Sequence, residues 1–346
     1  MNQNLDRYSR QMRFAGIGED GQRQLCASRV LLVGCGALGT VLADMLVRAG
    51  VGFLRIVDRD FVDLSNLQRQ VLFDEQDVAD HLPKAAVAAT KLSRINSQVT
   101  LEPVVADVTP NNILSLTEGA DLILDGTDNF ETRFLINDAA LEQNIPWIYG
   151  GVVGSHGQVL PIFPGETACL RCIIEAPPDP GMTETCDTAG VISPAVHVVT
   201  SLQAVAALKV LSGQRELVTP KLTMIDVWDG TFRQLDVSQL RSANQCPACV
   251  QGKRDWLHGD STSQSVVLCG RNSVQITPGQ SLKLSLDDLT AGWASLGTVM
   301  RNPFLARLTV TNPDYEITVF KDGRAIIQGT DDPTVARGLY ARYVGN

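Results

Sequence analysis

Apolar positions along the chain gather into short blocks separated by glycine, proline and small polar residues. Val30–Val33 is an uninterrupted apolar block and reads as a short buried strand. The apolar run from Thr40 to Ala49 predicts a helix, and Phe53–Val57 predicts a second strand ending at Asp58. Together they make a βαβ unit. Ahead of it, residues 1–28 hold Arg7-Tyr8-Ser9-Arg10-Gln11 and then a short amphipathic helix, a capping arm. Pro83-Lys84 opens a helix through Ile95, with Pro suited to its first position. Val99–Val105 and Asp121–Asp125 read as further strands. Pro146–Gly150 and Gly157–Ile162 are short strands around a flexible glycine-rich loop that carries His156.

Ser193-Pro194 starts a long apolar helix ending at Gly213, with Ser as N-cap and Pro in the first position. Leu222–Trp228 and Thr231–Val237 flank Asp229-Gly230, a strong hairpin signal. Residues 251–264 are polar and read as a connection, with the first domain running to 255 and the linker over 256–264. Residues 265–346 form a second unit. It has a strand at Val266–Cys269, a helix at Ser285–Leu296, and strands at Arg307–Val310 and Glu316–Gln328 with a turn at Asp322-Gly323. Asp332-Pro333 begins its final helix. The expected fold is α/β: a Rossmann-like, doubly wound, mostly parallel sheet with an antiparallel C-terminal half, plus a small α+β domain.

Composition narrows this. At 346 residues the chain can bury one large core, or one core and a small domain. A 44% hydrophobic and 19% charged composition marks a soluble globular protein. No uninterrupted apolar run approaches the ~20 residues of a membrane span, and the first residues lack a secretory signal. A net charge of −9 argues against nucleic acid as a partner. Eight cysteines without a signal suggest metal or catalysis rather than disulfides. The expectation is a cytoplasmic protein with neither membrane nor nucleic-acid partners.

The chemistry gathers at strand ends. Gly34, Gly36 and Gly39 have G-x-G-x-x-G spacing between a strand and a helix. Glycine permits the sharp turn and lets backbone N–H groups approach a phosphate. Asp58 stands where an acid bonds a ribose hydroxyl. This predicts a nucleotide site, but it does not separate a dehydrogenase from an ATP enzyme, and a tight turn without ligand has the same spacing. Beyond Asp58, the segment Asp60 to Gln70 includes Ser65-Asn66-Leu67-Gln68-Arg69, rich in amide and guanidinium groups suited to phosphate oxygens. An ordinary NAD site does not need this cluster. Lys84 in a helix's first turn opposes the dipole, and a phosphate is the natural reason. Asp128 follows a strand's end and suits Mg²⁺. Either Asp128 or Asn129 can cap the helix from Phe130.

Cys169-x-x-Cys172 and Cys246-x-x-Cys249 supply four thiolates, the ligand set of a closed structural zinc site, with a redox dithiol pair as the alternative. Between them, Glu175–Gly190 is irregular, and Cys186 in it is a candidate exposed thiol. Cys269 reads as a core strand cysteine.

These motifs, in this order, resemble the ThiF/MoeB/HesA family, bacterial relatives of ubiquitin-activating enzymes, over roughly residues 5–250. The resemblance implies adenylation of the C-terminal Gly-Gly carboxylate of a small ubiquitin-like sulfur carrier, using MgATP and releasing pyrophosphate. It implies that Asp58 binds the ribose, that Asn66, Arg69 and Lys84 bind the phosphates, and that Asp128 holds Mg²⁺. Gly34, Gly36, Ala37, Gly39, Asp60, Ser65, Leu67, Gln68 and Asn129 line the same cofactor site. The resemblance also implies that Arg10 reaches the ATP phosphates of the other subunit in a homodimer, and that a sulfurtransferase is a further partner. Cys186 matches a cysteine on the family's crossover loop, where a covalent step is open. Ala37 departs from the Gly of many members, and its methyl clashes only if the backbone needs positive φ. The C-terminal domain is similar to an extension in some ThiF-like proteins, not to a rhodanese domain. With Ala37, it favours a thiamine-type over a molybdopterin-type carrier. The alternatives are an NAD-dependent oxidoreductase and a non-catalytic carrier-binding scaffold.

Overall fold

Five strands form the parallel half of an eight-stranded sheet; the central ones are apolar and covered on both faces, while the edge strand, Thr100–Val104, has no buried residue. The five are β1 (Arg29–Val33), β2 (Phe53–Val57), β3 (Thr100–Val104), β4 (Leu122–Asp125) and β5 (Trp147–Val153). β6 (His156–Ile162), β7 (Lys221–Asp226) and β8 (Thr231–Asp236) continue it as an antiparallel meander. The order is β3-β2-β1-β4-β5-β6-β7-β8. The computed structural model describes residues 5–176, 189–243, 245–258, 265–268, 272–277, 284–311 and 314–344.

Ahead of β1 lie α1 (Ser9–Met12) and α2 (Gly18–Ala27). α3 (Ala37–Ala49) follows β1 and, with α4 (Glu75–Ala79) and α5 (Lys84–Ile95), covers one face of the sheet. α6 (Ile113–Thr117), α7 (Phe130–Gln143) and α8 (Leu170–Ile173) serve the other. α9 (Ser193–Leu211) packs against α3, β5 and β6. By length and composition α9 is apolar enough to cross a membrane, but half of it is buried within this fold. Its Gln203 is fully buried and donates from Nε2 to the Asp125 carbonyl at 2.9 Å and the Ile148 carbonyl at 3.3 Å.

The chain forms two compact units, residues 1–260 and 261–346. The short helix α10 (Leu240–Ala243) follows β8 in the first unit. Trp256 and Leu257, in the segment read from sequence as a linker, are buried with the first unit's apolar residues, and Trp256 meets the Phe134 ring at 5.4 Å. The second unit is a six-stranded antiparallel sheet of order β11-β12-β13-β14-β10-β9. Its strands are β9 (Ser265–Leu268), β10 (Ser273–Ile276), β11 (Thr298–Arg301), β12 (Leu305–Val310), β13 (Tyr315–Phe320) and β14 (Ala325–Gln328). α11 (Leu286–Trp293) and α12 (Pro333–Tyr343) share a core with one face.

Four local expectations need correction. Pro83 is the N-cap of α5, not its first residue, because its ψ of 135° is extended. Ser193 is the first residue of α9 and Ile192 its N-cap, without a side-chain cap. The glycine-rich stretch 150–157 is not a loop: β5 and β6 pair from Trp147↔Ile162 through Val153↔His156, so His156 is a strand residue, and its Nε2 lies 3.2 Å from Asp226. β10 and β11 are strands that the apolar pattern did not reveal, because their polar positions are as frequent as their apolar ones.

Candidate functional site

The strand order reverses between β1 and β4, and a ligand crevice opens outside the carboxyl ends of strands at such a point. The chain after β1 turns through Gly34 at φ +91°, a conformation that favours glycine. A Cβ on Gly34 would come within 2.6 Å of the Gly126 carbonyl oxygen, and one on Gly39 within 2.0 Å of the Gly34 carbonyl oxygen. These two glycines therefore serve the packing of strand ends and helix. Gly36 differs: a Cβ there meets only Gln70 Nε2, at 3.8 Å. The protein leaves that side open. Gly36 is also the N-cap of α3 and offers no side chain to the helix's first N–H groups. An uncapped helix start beside an open glycine suits a phosphate. Ala37 is outside the positive-φ residues, so its methyl is accommodated as an ordinary first helical residue.

Carboxylates ring the open side. Asp58 accepts from the Cys35 N–H and the Asp60 N–H, each at 2.6 Å, which ties the end of β2 to the glycine turn. Burial raises its carboxyl above the ordinary range, Lys84 pulls it back and Asp60 adds to the rise. Lys84 begins α5; it is buried and lies 3.2 Å from Asp60 Oδ2. Burial works against the charge of Arg59, yet Asp107, Asp60 and Asp128 together hold its guanidinium above its ordinary pKa. Its pairing with Asp107 is 3.1 Å.

The amide cluster forms a second wall. Asn66 is buried, and its Oδ1 accepts from Gln70 Nε2 at 2.8 Å and from Arg69 Nη2 at 3.4 Å. Arg69 also donates to the Ser65 carbonyl at 3.1 Å. Gln70 Oε1 is buried without a hydrogen-bond partner. Ser65 and Gln68 are exposed, and Leu67 packs against the apolar core. α4 is pinned beside this wall through Lys91 of α5, which pairs with Asp74 at 2.5 Å and with Asp77.

After β4, Asn129 caps α7 by accepting from the Glu131 N–H at 2.8 Å, so Asp128 is left for other work and is exposed. Asp125, fully buried, accepts from Thr127 N–H and Oγ1 at 2.9 and 2.7 Å and from Arg133 Nε at 3.1 Å. Arg133 reaches on to the Thr127 and Gly150 carbonyls. This buried pair fixes the loop that carries Asp128. The sequence held little sign of Arg133, which faces inward from a helix with no clear apolar stripe.

These residues fit a magnesium nucleotide. Mg²⁺ needs one or two carboxylates besides the phosphates, and Asp128 supplies one at the crevice. Among the described residues no acidic cluster forms a ready cage. Arg10 is elsewhere: its arm rests on the carboxyl ends of α3 and α5, while the crevice lies at their amino ends. A 12-residue helix is about 18 Å long, so Arg10 is not brought to its own chain's crevice. Cys186 and Cys269 lie outside the described residues.

The four cysteines converge. Sγ separations are 3.9 Å for Cys169–Cys172, 3.7 Å for Cys169–Cys246 and 3.4 Å for Cys172–Cys249, and all four sulfurs lie within 4.8 Å of one another. Tetrahedral zinc–sulfur bonds of ~2.3 Å put sulfurs ~3.8 Å apart, so the donor set fits zinc. The sulfurs form neither disulfide: all four are free thiols.

A family model described as the ThiF family matches residues 8–248. The sulfur carrier protein ThiS adenylyltransferase of Bacillus subtilis is 43% identical over 340 residues, covering 98% of this chain and 99% of that protein. The protein of the same name from Escherichia coli K12 is 40% identical over 250 residues, covering 72% of this chain and 96% of that one. Among solved structures, Escherichia coli MccB with succinimide aligns with a TM-score of 0.60 at 22% identity, over 71% of this chain and 75% of that one. That last likeness is one of fold.

Proposed function

The chain belongs to the ThiF family, and from that premise we propose that it uses ATP to adenylate the C-terminal glycine carboxylate of a small ThiS-like sulfur carrier, releasing pyrophosphate. The observation that carries this is the match, along nearly its whole length, to a ThiS adenylyltransferase. An NAD-dependent oxidoreductase finds no support in the relatives, and the crevice has a polar wall, Asn66 to Gln70, that hydride transfer does not call for.

The carrier carboxylate, ionised at neutral pH, attacks the α-phosphorus directly. An O–P bond forms to the carboxylate as the bond to the β-phosphate oxygen breaks, and pyrophosphate leaves with that electron pair. No general base is required, so the protein's work is positioning and charge stabilisation. In this reading Asp58 holds the ribose. The open Gly36 turn, Asn66, Arg69 and Lys84 hold the phosphates. Asp128 would hold Mg²⁺, which would supply positive charge against the phosphates.

The carrier needs a docking surface, and the β7–β8 hairpin has the right place and chemistry. β7 ends beside the start of β6, so the turn at 227–230 lies at the same end of the sheet as the crevice. Trp228 is 80% exposed and Phe232 57%, an apolar patch that a partner would cover. ATP–pyrophosphate exchange should require added carrier. Phe232→Asp should raise the carrier KM at least ~10-fold, the scale of losing a central apolar contact, while the KM for ATP stays put. Exchange without a carrier, or an unchanged carrier KM, argues against this reading.

The site is completed in a homodimer. Arg10 is exposed, has no partner among the described residues, and is anchored away from its own crevice. It is therefore free to serve a second copy's phosphates. The second unit is not needed for adenylation as such, because the Escherichia coli relative of the same name is covered to 96% by 250 residues.

A further inference from the structure

We propose that Asn96 is a positioning residue that sets Arg10 for the partner subunit's nucleotide. This rests on the placement of Arg10 across the dimer given above. The arm has little structure of its own: α1 has four residues, too few to hold a helix in water. Its position must come from what its inward side chains grip. Tyr8 is buried and Gln11 half-buried, and Arg7, though exposed, bonds the Ile95 carbonyl at 3.1 Å, while Arg10, Arg13 and Phe14 are exposed.

Asn96 is the hub of that grip. It is 1% exposed and caps the carboxyl end of α5. Its Nδ2 donates to Tyr8 Oη and to the Val47 carbonyl, each at 2.8 Å. Its Oδ1 accepts from Arg7 Nη1 and from the Gln98 N–H. One amide thus joins α5, the end of α3 and the arm. Tyr8 fills the space over Gly50, where a Cβ would come within 2.4 Å of the ring, so the ring has one seat. Gln11 adds a second anchor through the Ala49 carbonyl at 3.0 Å and Gln22 at 2.7 Å. Asn96 touches no group of its own chain's crevice. α5 separates it from Lys84 by the helix's length.

Mixed dimers test this, because Asn96 should behave as part of the arm and not of its own chain's crevice. Arg10→Ala mixed with Lys84→Ala should recover activity through one intact site. Asn96→Ala mixed with Lys84→Ala should recover likewise. Asn96→Ala mixed with Arg10→Ala should show no recovery above the Asn96→Ala homodimer, since both arms are then defective. The Asn96→Ala homodimer should lose ~10-fold or more in kcat with the KM for carrier unchanged. The reverse pattern, recovery with Arg10→Ala and none with Lys84→Ala, makes Asn96 a structural support of its own crevice and overturns the proposal. If Asn96→Ala does not fold, Tyr8→Phe replaces it in the same mixtures, and wild-type activity of its homodimer overturns the proposal. Failure of Arg10→Ala with Lys84→Ala in verified heterodimers defeats the cross-dimer reading itself, a different result.

Discussion

Lys84→Ala is expected to lower ATP–pyrophosphate exchange by ~10²–10³-fold, the scale of losing one transition-state charge partner in a site closed to water. The loss should exceed that of Arg69→Ala, about 10²-fold. The reason is burial. Lys84 is a buried ammonium paired with Asp60, while Arg69 is half-buried and already shares Asn66 and Ser65. Removing Lys84 also takes away the cation that opposes the upward pull of burial on the Asp58 carboxyl. The Asp58 carboxyl then rises further, so the acid limb of ATP affinity should move to higher pH in Lys84→Ala than in wild type. Arg69→Ala should leave that limb where it is. Exchange within a few-fold of wild type in both variants would show that these cations do not touch the reacting phosphates. An unmoved limb would remove Asp58 from the nucleotide.

Metal loss should be the larger structural lesion. Elemental analysis of protein purified without chelator is expected to return one zinc per chain. Cys246→Ser should abolish it, because three thiolates leave the closed tetrahedral set incomplete. A metal on these four cysteines would join α8 to the turn at 246–249, with α9, β7 and β8 between them. Cys169 and Cys246 are 77 residues apart. Closing a loop of that length by a cross-link is worth ~4.5 kcal/mol in the unfolded-chain model. In a unit of this size that corresponds to roughly 10–15 °C in melting temperature. A full zinc equivalent in Cys246→Ser, or an unchanged melting temperature after chelation, contradicts a structural metal.

The first unit was legible in its parallel half because each buried strand is a continuous apolar block bounded by chemistry. Val30–Val33 is followed by the glycine turn, and Leu122–Leu124 by Asp125 and Thr127. The four cysteines were legible because their spacing alone fixes a donor set. What stayed hidden depends on contacts across the chain. Arg133 and Asp125 meet only when α7 lies under β4, and Arg59 meets Asp107 only when β2 and β3 lie side by side. His156 passed for a loop residue because glycines around it mimic a turn, although the pairing of β5 with β6 carries the strand through them. Asn96 looked like an ordinary end to α5. Its side chain bonds Arg7 and Tyr8 of the arm and the Val47 carbonyl of α3 as well as the nearby Gln98 N–H, and no local pattern encodes the distant three.

The placement of α9 has a consequence for how the protein is made. Ser193–Leu211 is greasy enough to be mistaken for a membrane segment or to recruit other unfinished chains as it leaves the ribosome. The surfaces it packs on most, α3, β5 and β6, all precede it in the chain, and the turn at 215–217 that follows adds a smaller contact. Most of its berth is thus made of segments synthesised before it. The strands made afterwards, β7 and β8, extend the sheet beyond β6, and of the helix's apolar surroundings they add Ile225, so the chain need wait for little more to cover its greasiest segment.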